Sequence, residues 1–545
     1  MTSFSRPLRR SLVPVADLRE VTRNRLLRRA DWRFLLPNPS PERSICFASG
    51  ELRDAVTLIS GSTADAGPNA GPNVRGEFDL AVALDPDRAT LRASFEALRP
   101  DGSCYTEWYS RRIGGVRQIQ RAFKAAGFAG VRCYRPWPSP HRCKAWLPLG
   151  TPEALTYYFR LDRWSSRGFR QQLRSALSNM QARLGLRRPL CAIGYKQEAA
   201  CHSPQADIGA PGSTTDGPSE AHCCPAPGLK VRLAALSWLL LTGGPRTISK
   251  VVAVAFTERD VRPRFVVKMA RVREAVLGLE REAATLRALE ALRPAGVPGV
   301  PRVLLRRDYG GLLAVSETAM IGRPLHAVLR RSNYRDLALK ATDWLVDLAS
   351  LRQPSASASQ WSRIVEPALS DFADSFGPIL DEGMVRQTRE MLTTLGPLPV
   401  VCEQRDFSPW NVFVAPDGAL VVLDWESSEC GGLPAMDLIY FLSHLAFYLD
   451  SVWTSGRFCQ SYRNGLDPST FTGAVQQECL SRYASQTGID ASVLRPLRLL
   501  VWVIHSRSEY LRYVADEAGK PKPETLRRSL FVQLWEEELR HGGSP

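Results

Sequence analysis

"VCEQRDFSPWNVFV", residues 401–414, decides how the chain is read. Asp406 stands five residues before Asn411, with Pro409 and Trp410 between them. The run "VVLDWE" follows and places Asp424 thirteen residues after Asn411, at the end of an apolar stretch. Between them lies "APDGA", whose Asp-Gly pair suits a tight turn. Residues 412–423 are therefore expected to form a hairpin that returns Asp424 to the neighbourhood of Asn411. An amide oxygen and a carboxylate beside a second carboxylate suit Mg²⁺, a hard cation generally held by one or two protein groups plus phosphate oxygens. Asp406 is left to orient an attacking hydroxyl and accept its proton, which is the chemistry of phosphoryl transfer. The plainer reading makes Asp406 and Asn411 turn caps around Pro409 and Asp424 a strand end. Three polar residues in this order, with a turn between, favour the site.

Such a site needs a cation on a strand over the phosphates and a helical carboxylate to hold it. Nine lysines among 71 positive residues leave 62 arginines, so a lysine in a strategic position stands out. Lys268 ends "RFVVK". Fourteen residues later, Glu282 lies beside the apolar stripe Leu279, Ala283, Leu286 of a helix expected from about Glu274 to Leu292. Lys250, which precedes its strand, and Glu280 are the rivals. "LLLTGGPRT", 239–247, offers Gly243 and Gly244 as a turn whose amides could approach phosphate. A Gly-Gly pair alone is a weak signal.

"QRDFSPWNVFV" continued by "LDWESSECGGLPAMDL" resembles the catalytic segment of the aminoglycoside phosphotransferase and choline kinase family, which shares its fold with protein kinases. The family pattern is HxDxxxxN, then DxE or DxD after a hairpin, then GxPxxDL. Over 229–545 the resemblance implies Asp406 as catalytic base, Asn411 and Asp424 as magnesium ligands, and Asp437 at a helix start behind the site. It implies ATP or GTP as phosphoryl donor, met by Lys268, Glu282, Gly243 and Gly244. The hinge would lie in "LAVSETAMIGRPL", with Thr318 and Met320 at the base of the nucleotide. Gln404 stands where the family has histidine; a glutamine amide also donates, so retuned activity is expected rather than none. A nucleotide-binding scaffold that kept the fold without catalysis is the alternative.

Residues 1–150 alternate short strand-like runs with helical ones, which indicates an α/β layer of mostly parallel strands. "FDLAVALDPDRATLRASFEALRPDGSCYTEW" and "IQRAFKAAGFAGVRCYR" resemble the second half of class I S-adenosylmethionine methyltransferases, with "LRPDG" as a turn into the next strand. The first half departs from that pattern. "SICFASGELRD" supplies only Gly50 where a glycine-rich turn is needed, and 61–76 reads as a flexible insertion. A shortened domain without cofactor is expected, with Glu107 and Trp108 as hints of a pocket; an active S-adenosylmethionine-dependent methyltransferase is a further alternative.

The fold class expected is thus a degenerate methyltransferase-like α/β domain (1–150), a connecting helical segment (151–202, its helix at 165–186), a flexible linker (203–228), and a two-lobed, protein kinase-like α+β domain. The smaller lobe of that domain would span 229–325 and the helical lobe 326–545. The net charge of +16 is spread along the chain, so it reads as an arginine-rich surface rather than a nucleic-acid footprint. No apolar run reaches the roughly 18 residues of a membrane span, and the N-terminus carries no secretory pattern. A cytoplasmic protein with reduced cysteines is expected. Cys191, Cys201, His202, His222, Cys223 and Cys224 fit no common zinc spacing. The partners expected are a nucleoside triphosphate and a small-molecule hydroxyl acceptor: a sugar, an amino alcohol or an aminoglycoside.

Overall fold

The computed structural model describes residues 20–66, 75–109, 115–165, 189–197, 236–244, 248–257, 260–351, 360–517 and 519–541. The linker 203–228, the cysteine and histidine group at 201–224 and all but the first residue of the helix expected at 165–186 lie outside them. The chain falls into two compact units, Met1–Glu280 with Val303–Ala319, and Arg281–Arg302 with Met320–Pro545. These bounds differ from those expected, because strands from both sides of the linker share one sheet in the first unit.

That sheet has twelve strands in the order β11-β12-β10-β9-β8-β6-β5-β7-β4-β3-β1-β2. They are β1 (Arg43–Phe47), β2 (Ser62–Asp65), β3 (Phe78–Leu84), β4 (Leu98–Trp108), β5 (Gly130–Trp137), β6 (Ala145–Pro148), β7 (Leu190–Tyr195), β8 (Ser237–Leu241), β9 (Val251–Phe256), β10 (Phe265–Met269), β11 (Val303–Tyr309) and β12 (Leu312–Thr318). Parallel pairing is confined to β2-β1-β3-β4. There, runs such as "FDLAVAL" are buried along nearly their whole length, as a parallel strand covered on both faces must be. Helix α3 (Arg88–Ala97) starts on Asp87, whose carboxylate accepts the Thr90 N–H at 2.7 Å. Helix α4 (Val116–Ala126) lays Ile119, Phe123 and Ala126 on the sheet at helical spacing and stops at Gly127, φ 108°.

Four expectations are corrected. The segment 61–76 is not wholly a loop insertion, because 62–65 pair in parallel with β1 as an edge strand. "LRPDG" is not a turn before a strand. Phe78 pairs with Leu98 and Leu80 with Ser103, so 99–102 are an irregular insertion within β4 itself. "LCAIGY", inside the stretch expected to be helical, is a strand lying antiparallel between β4 and β5. Its six residues are all buried, and two neighbouring strands satisfy both of its backbone edges. Finally, Glu107 marks no open pocket. It is fully buried and accepts from Arg29 at 2.6 and 2.7 Å, Tyr105 at 2.7 Å and Tyr109 at 3.0 Å, while Trp108 donates to Thr106 at 2.9 Å.

The seam between the two halves of the sheet is the β6–β8 pair, with Ala145 opposite Leu241 and Trp146 opposite Leu240. Both faces of the seam are closed. One core joins Trp32, Phe34, Tyr105, Trp146 and Tyr195 to Trp238, Val251, Phe265 and Tyr309. The other joins Trp137, Leu147, Tyr158 and Phe159 to Leu239, Val254 and Phe256. Helix α1 (Glu20–Arg29) and the 3-10 turn Asp31–Leu35 supply Trp32, which stacks on Tyr105 with centroids 3.8 Å apart.

The boundary between the units falls inside α6 (Val276–Leu292), between Arg302 and Val303, and again between Ala319 and Met320. The second unit is mostly helical, with α7 (Tyr334–Ala349), α8 (Met436–Leu449) and the long helix Leu494–Glu517. Among its short strands are β13 (Arg323–Pro324), β14 (Val401–Glu403), β15 (Val412–Val414), β16 (Leu420–Val422) and β17 (Glu429–Gly432). β15 and β16 form the expected hairpin, with Val412 opposite Val422. Among the described residues no helix is long and apolar enough to cross a membrane.

Candidate active site

In the second unit, β14 delivers the chain to a loop that packs on the start of α8. Asp437, in the first turn of α8, accepts the Gln404 N–H at 2.6 Å and the Arg405 N–H at 2.8 Å. That pairing holds Arg405 at φ 62°. The Gln404 side chain then works in two directions. Its amide nitrogen donates to the carbonyls of Leu423 at 3.1 Å and Asp424 at 2.5 Å, while its amide oxygen accepts the Asp406 N–H at 2.8 Å. The loop carrying Asp406 is thereby clipped to the backbone of Asp424.

Asn411 completes the cluster. Its side-chain nitrogen donates to the Asp406 carboxylate at 2.7 Å and to the Asp406 carbonyl at 3.0 Å. Leu423 N–H donates to the Asn411 carbonyl at 3.0 Å, which fixes the strand leading to Asp424 against the loop. Asp406, Asn411 and Asp424 are therefore brought together as the spacing predicted. Arg405, Asp424 (φ 65°) and Ala435 (φ 63°) are three of the five non-glycine residues with left-handed backbone among those described. Strain of this kind persists only where the surroundings over-determine it.

Trp410, between the two polar residues, packs against His444 at 5.3 Å and Tyr448 at 6.2 Å, and Tyr440 stacks on His505 at 4.0 Å. Such surroundings are poor solvents for charge. Burial pushes the Asp406 carboxyl up to about 7, the Asp424 carboxylate adds to the push, and the Asn411 hydrogen bond opposes it. The same burial lowers His444 to about 4 and His505 to about 3.

Glu282, on α6, is fully buried and accepts the Trp425 N–H at 2.9 Å, so it is tied to the residue after Asp424. Lys268 belongs to the first unit, where its ammonium lies 2.8 Å from Glu317. The sequence reading assigned Glu317 only to the hinge. Lys268 faces Val315 across the ladder, so Glu317, two residues along β12, is its diagonal neighbour on the same sheet face. That partnership has no signal in spacing along the chain; it needs the strand register.

Gly243 and Gly244 follow β8 after Thr242. A Cβ on Gly243 would meet nothing within 4 Å, whereas one on Gly244 would lie 2.2 Å from the Ser249 Cβ. Gly244 is thus required by close packing and Gly243 borders open space. Thr318 ends β12, and Met320 is the first residue of the second unit on that side, so the expected hinge coincides with a boundary between units.

Residues 250–466 match the phosphotransferase enzyme family (APH). The matched stretch contains every candidate site residue except Gly243 and Gly244, which precede it by a few positions. Similar solved structures include a thermostable mutant of aminoglycoside phosphotransferase APH(4)-Ia in ternary complex with ADP and hygromycin B. It is 12% identical, the match covers 57% of this chain and 95% of that one, and the TM-score is 0.36. Another is aminoglycoside phosphotransferase APH(3'')-Id from Streptomyces rimosus in complex with ADP and streptomycin, 17% identical, covering 45% and 90% of the two chains, with a TM-score of 0.30. Comparison with curated proteins returns no match. Residues 1–249 and 467–545 lie outside the family match.

Proposed function

We propose that the chain is a kinase that transfers the terminal phosphoryl group of ATP or GTP to a hydroxyl of a small molecule. The observation that carries the reading is the cluster of Asp406, Asn411 and Asp424 assembled by Gln404. Asp406 would accept the proton of the attacking hydroxyl, whose oxygen forms the new bond to phosphorus as the bridge to the nucleoside diphosphate breaks. A carboxyl near 7 suits that exchange, since it is basic enough to take the proton and about half of it is ionised at neutral pH.

The donor set fits a magnesium ion. The Asn411 amide nitrogen is spent on Asp406, which leaves its oxygen to face a cation. The charge of Asp424 acts on Asp406 strongly enough to raise its pKa, a repulsion a divalent cation relieves. Asn411 and Asp424 would hold the ion, which when bound offsets the charge of the phosphate oxygens. In the first unit Lys268, kept in place by Glu317, would contact phosphate, with Gly243 and Gly244 offering amides; Glu282 would act on the metal side, through the Trp425 backbone. Thr318 and Met320 would line the base.

The acceptor is a small hydroxyl compound: a sugar, an amino alcohol or an aminoglycoside. Isothermal titration with Mg-ATP and Mg-GTP, then ADP or GDP release over a panel of sugars, amino alcohols and aminoglycosides, tests the reading. Asp406→Asn should lower turnover by about 10²–10⁴-fold with nucleotide affinity little changed. Nucleotide binding with no turnover on any hydroxyl would instead leave a scaffold, and no magnesium-dependent binding would remove the proposal.

A further inference from the structure

Arg271 lies three residues after Lys268 and is buried without residual exposure. Its guanidinium forks onto Asp31, which is equally buried, at 2.9 and 3.0 Å. Asp31 comes from the opening 3-10 turn, 240 residues earlier in the chain. The remaining nitrogen, Nη1, approaches the Gly244 carbonyl at 3.4 Å, and Nη2, which also donates to Asp31, approaches the Thr242 carbonyl at 3.4 Å. Arg33, from the same 3-10 turn, donates to the backbone carbonyl of Arg271. Thr242 is also held by the region before the linker: its N–H donates to the Lys144 carbonyl at 2.9 Å and its hydroxyl to the Cys143 carbonyl at 3.2 Å.

The consequence follows from peptide geometry. In a trans peptide the C=O and the next N–H point in opposite directions. Drawing the Thr242 carbonyl to Arg271 therefore aims the Gly243 N–H away from Arg271, and Gly243 is the position that borders open space. A buried ion pair is no better for stability than apolar side chains of similar volume. What apolar side chains cannot do is orient two carbonyls.

We propose that Arg271 is a positioning residue for the nucleotide phosphates: clamped by Asp31, it orients the backbone of 242–244, so that the α/β region before the linker sets phosphate affinity in cis. This rests on the kinase reading above and on Gly243 and Gly244 facing phosphate. Arg271 itself does not contact the ligand, because its fork is engaged by Asp31 and the two carbonyls.

The test uses the full chain and three probes: ATP or GTP with Mg²⁺, whichever the wild type binds, the matching diphosphate, and the matching nucleoside, which has no phosphate. The double variant Asp31→Leu/Arg271→Met keeps the volume apolar, and Arg271→Lys keeps the charge but loses the fork. In either variant that unfolds within a few degrees of wild type, triphosphate affinity should fall at least tenfold while nucleoside affinity stays the same. Unchanged triphosphate affinity, or an equal fall for nucleoside and triphosphate, overturns the proposal and leaves the kinase reading standing. A wild type that binds none of the three probes overturns the kinase reading, and the proposal with it. Should the double variant fail to fold, Arg271→Lys decides by the same two measurements.

Discussion

Gln404 stands where the pattern that the sequence resembles has histidine, and its side chain links the loop of Asp406 to the strand end at Asp424. One amide donates to two carbonyls beyond the hairpin and accepts one N–H within the loop. A neutral imidazole has one donor and one acceptor, so it could reproduce the link between loop and hairpin with one bond fewer. Gln404→Ala would leave the Asp406 N–H and both carbonyls without their partner. The expected cost is about 2–4 kcal/mol of stability, read as a lower denaturant midpoint with an unchanged slope, and turnover should fall with it. Gln404→His should lose less than half as much. The charge state of Asp406 gives a second prediction. Its folded pKa, about 7, is raised above the unfolded carboxylate value, so its contribution to stability is fully present below that unfolded value and fades as pH rises through about 7. Turnover runs the other way, since only the ionised carboxylate accepts a proton. At limiting Mg²⁺ the rate should climb about tenfold per pH unit below 7 and level above it, and in Asp406→Asn this limb should vanish; a flat profile in the wild type would remove Asp406 as base.

Elements differ in how far the sequence showed them. The hairpin of β15 and β16 was legible because its strands, its Asp417-Gly418 turn and its two polar termini lie within a short stretch, and Gly418 adopts φ 84°. The strands beside Lys250 and Lys268, β9 and β10, were legible for the same reason, being apolar runs bounded by breaks. Strand β7 was not, because its partners begin about 60 and 85 residues away, counted from the β5 and β4 pairings, and its six buried residues carry no alternation to separate strand from helix. The Lys268–Glu317 and Asp31–Arg271 pairs were hidden likewise, since each depends on which strands or segments meet. One close contact between elements is testable directly. After α6 the chain turns through Gly299, whose carbonyl accepts the Val422 N–H at 2.8 Å, while the Pro298 carbonyl accepts from Trp344 at 2.9 Å. A Cβ at 299 would sit 1.9 Å from the Leu420 carbonyl oxygen, at φ 77°. Neither the strained backbone nor a main-chain atom can give way cheaply, so Gly299→Ala should cost about 2–4 kcal/mol, seen as a lower midpoint in a calorimetric scan. Because the hairpin ends at Asp424, magnesium-dependent nucleotide binding should weaken as well.

For the molecule as a whole, the sequence suggested a small α/β domain tethered by a linker to a self-sufficient kinase, whereas the first unit is built as one sheet across that linker. Its smaller-lobe strands β8, β9, β10, β12 and β11 do not close their own core. Trp238, Val251, Phe265 and Tyr309 pack with Trp32, Phe34, Trp146 and Tyr195, and Tyr309 donates to the Leu36 carbonyl. Removing residues 1–235 would strip β8 of its β6 partner, expose an apolar edge and leave Arg271 buried without Asp31. Loss of one partner of a buried ion pair alone costs about 3–5 kcal/mol, a large share of the roughly 5–15 kcal/mol by which proteins are folded. The fragment 236–545 should therefore be recovered aggregated, or as a species that binds a hydrophobic dye and lacks the near-ultraviolet signal of packed tryptophans. Adding separately expressed residues 1–235 during refolding should recover part of that signal, because the seam is an edge-to-edge strand pair flanked by two apolar cores. A fragment that folded alone with wild-type nucleotide affinity would show the seam to be dispensable, and the α/β region would then be a passenger on residues 236–545 rather than part of their fold.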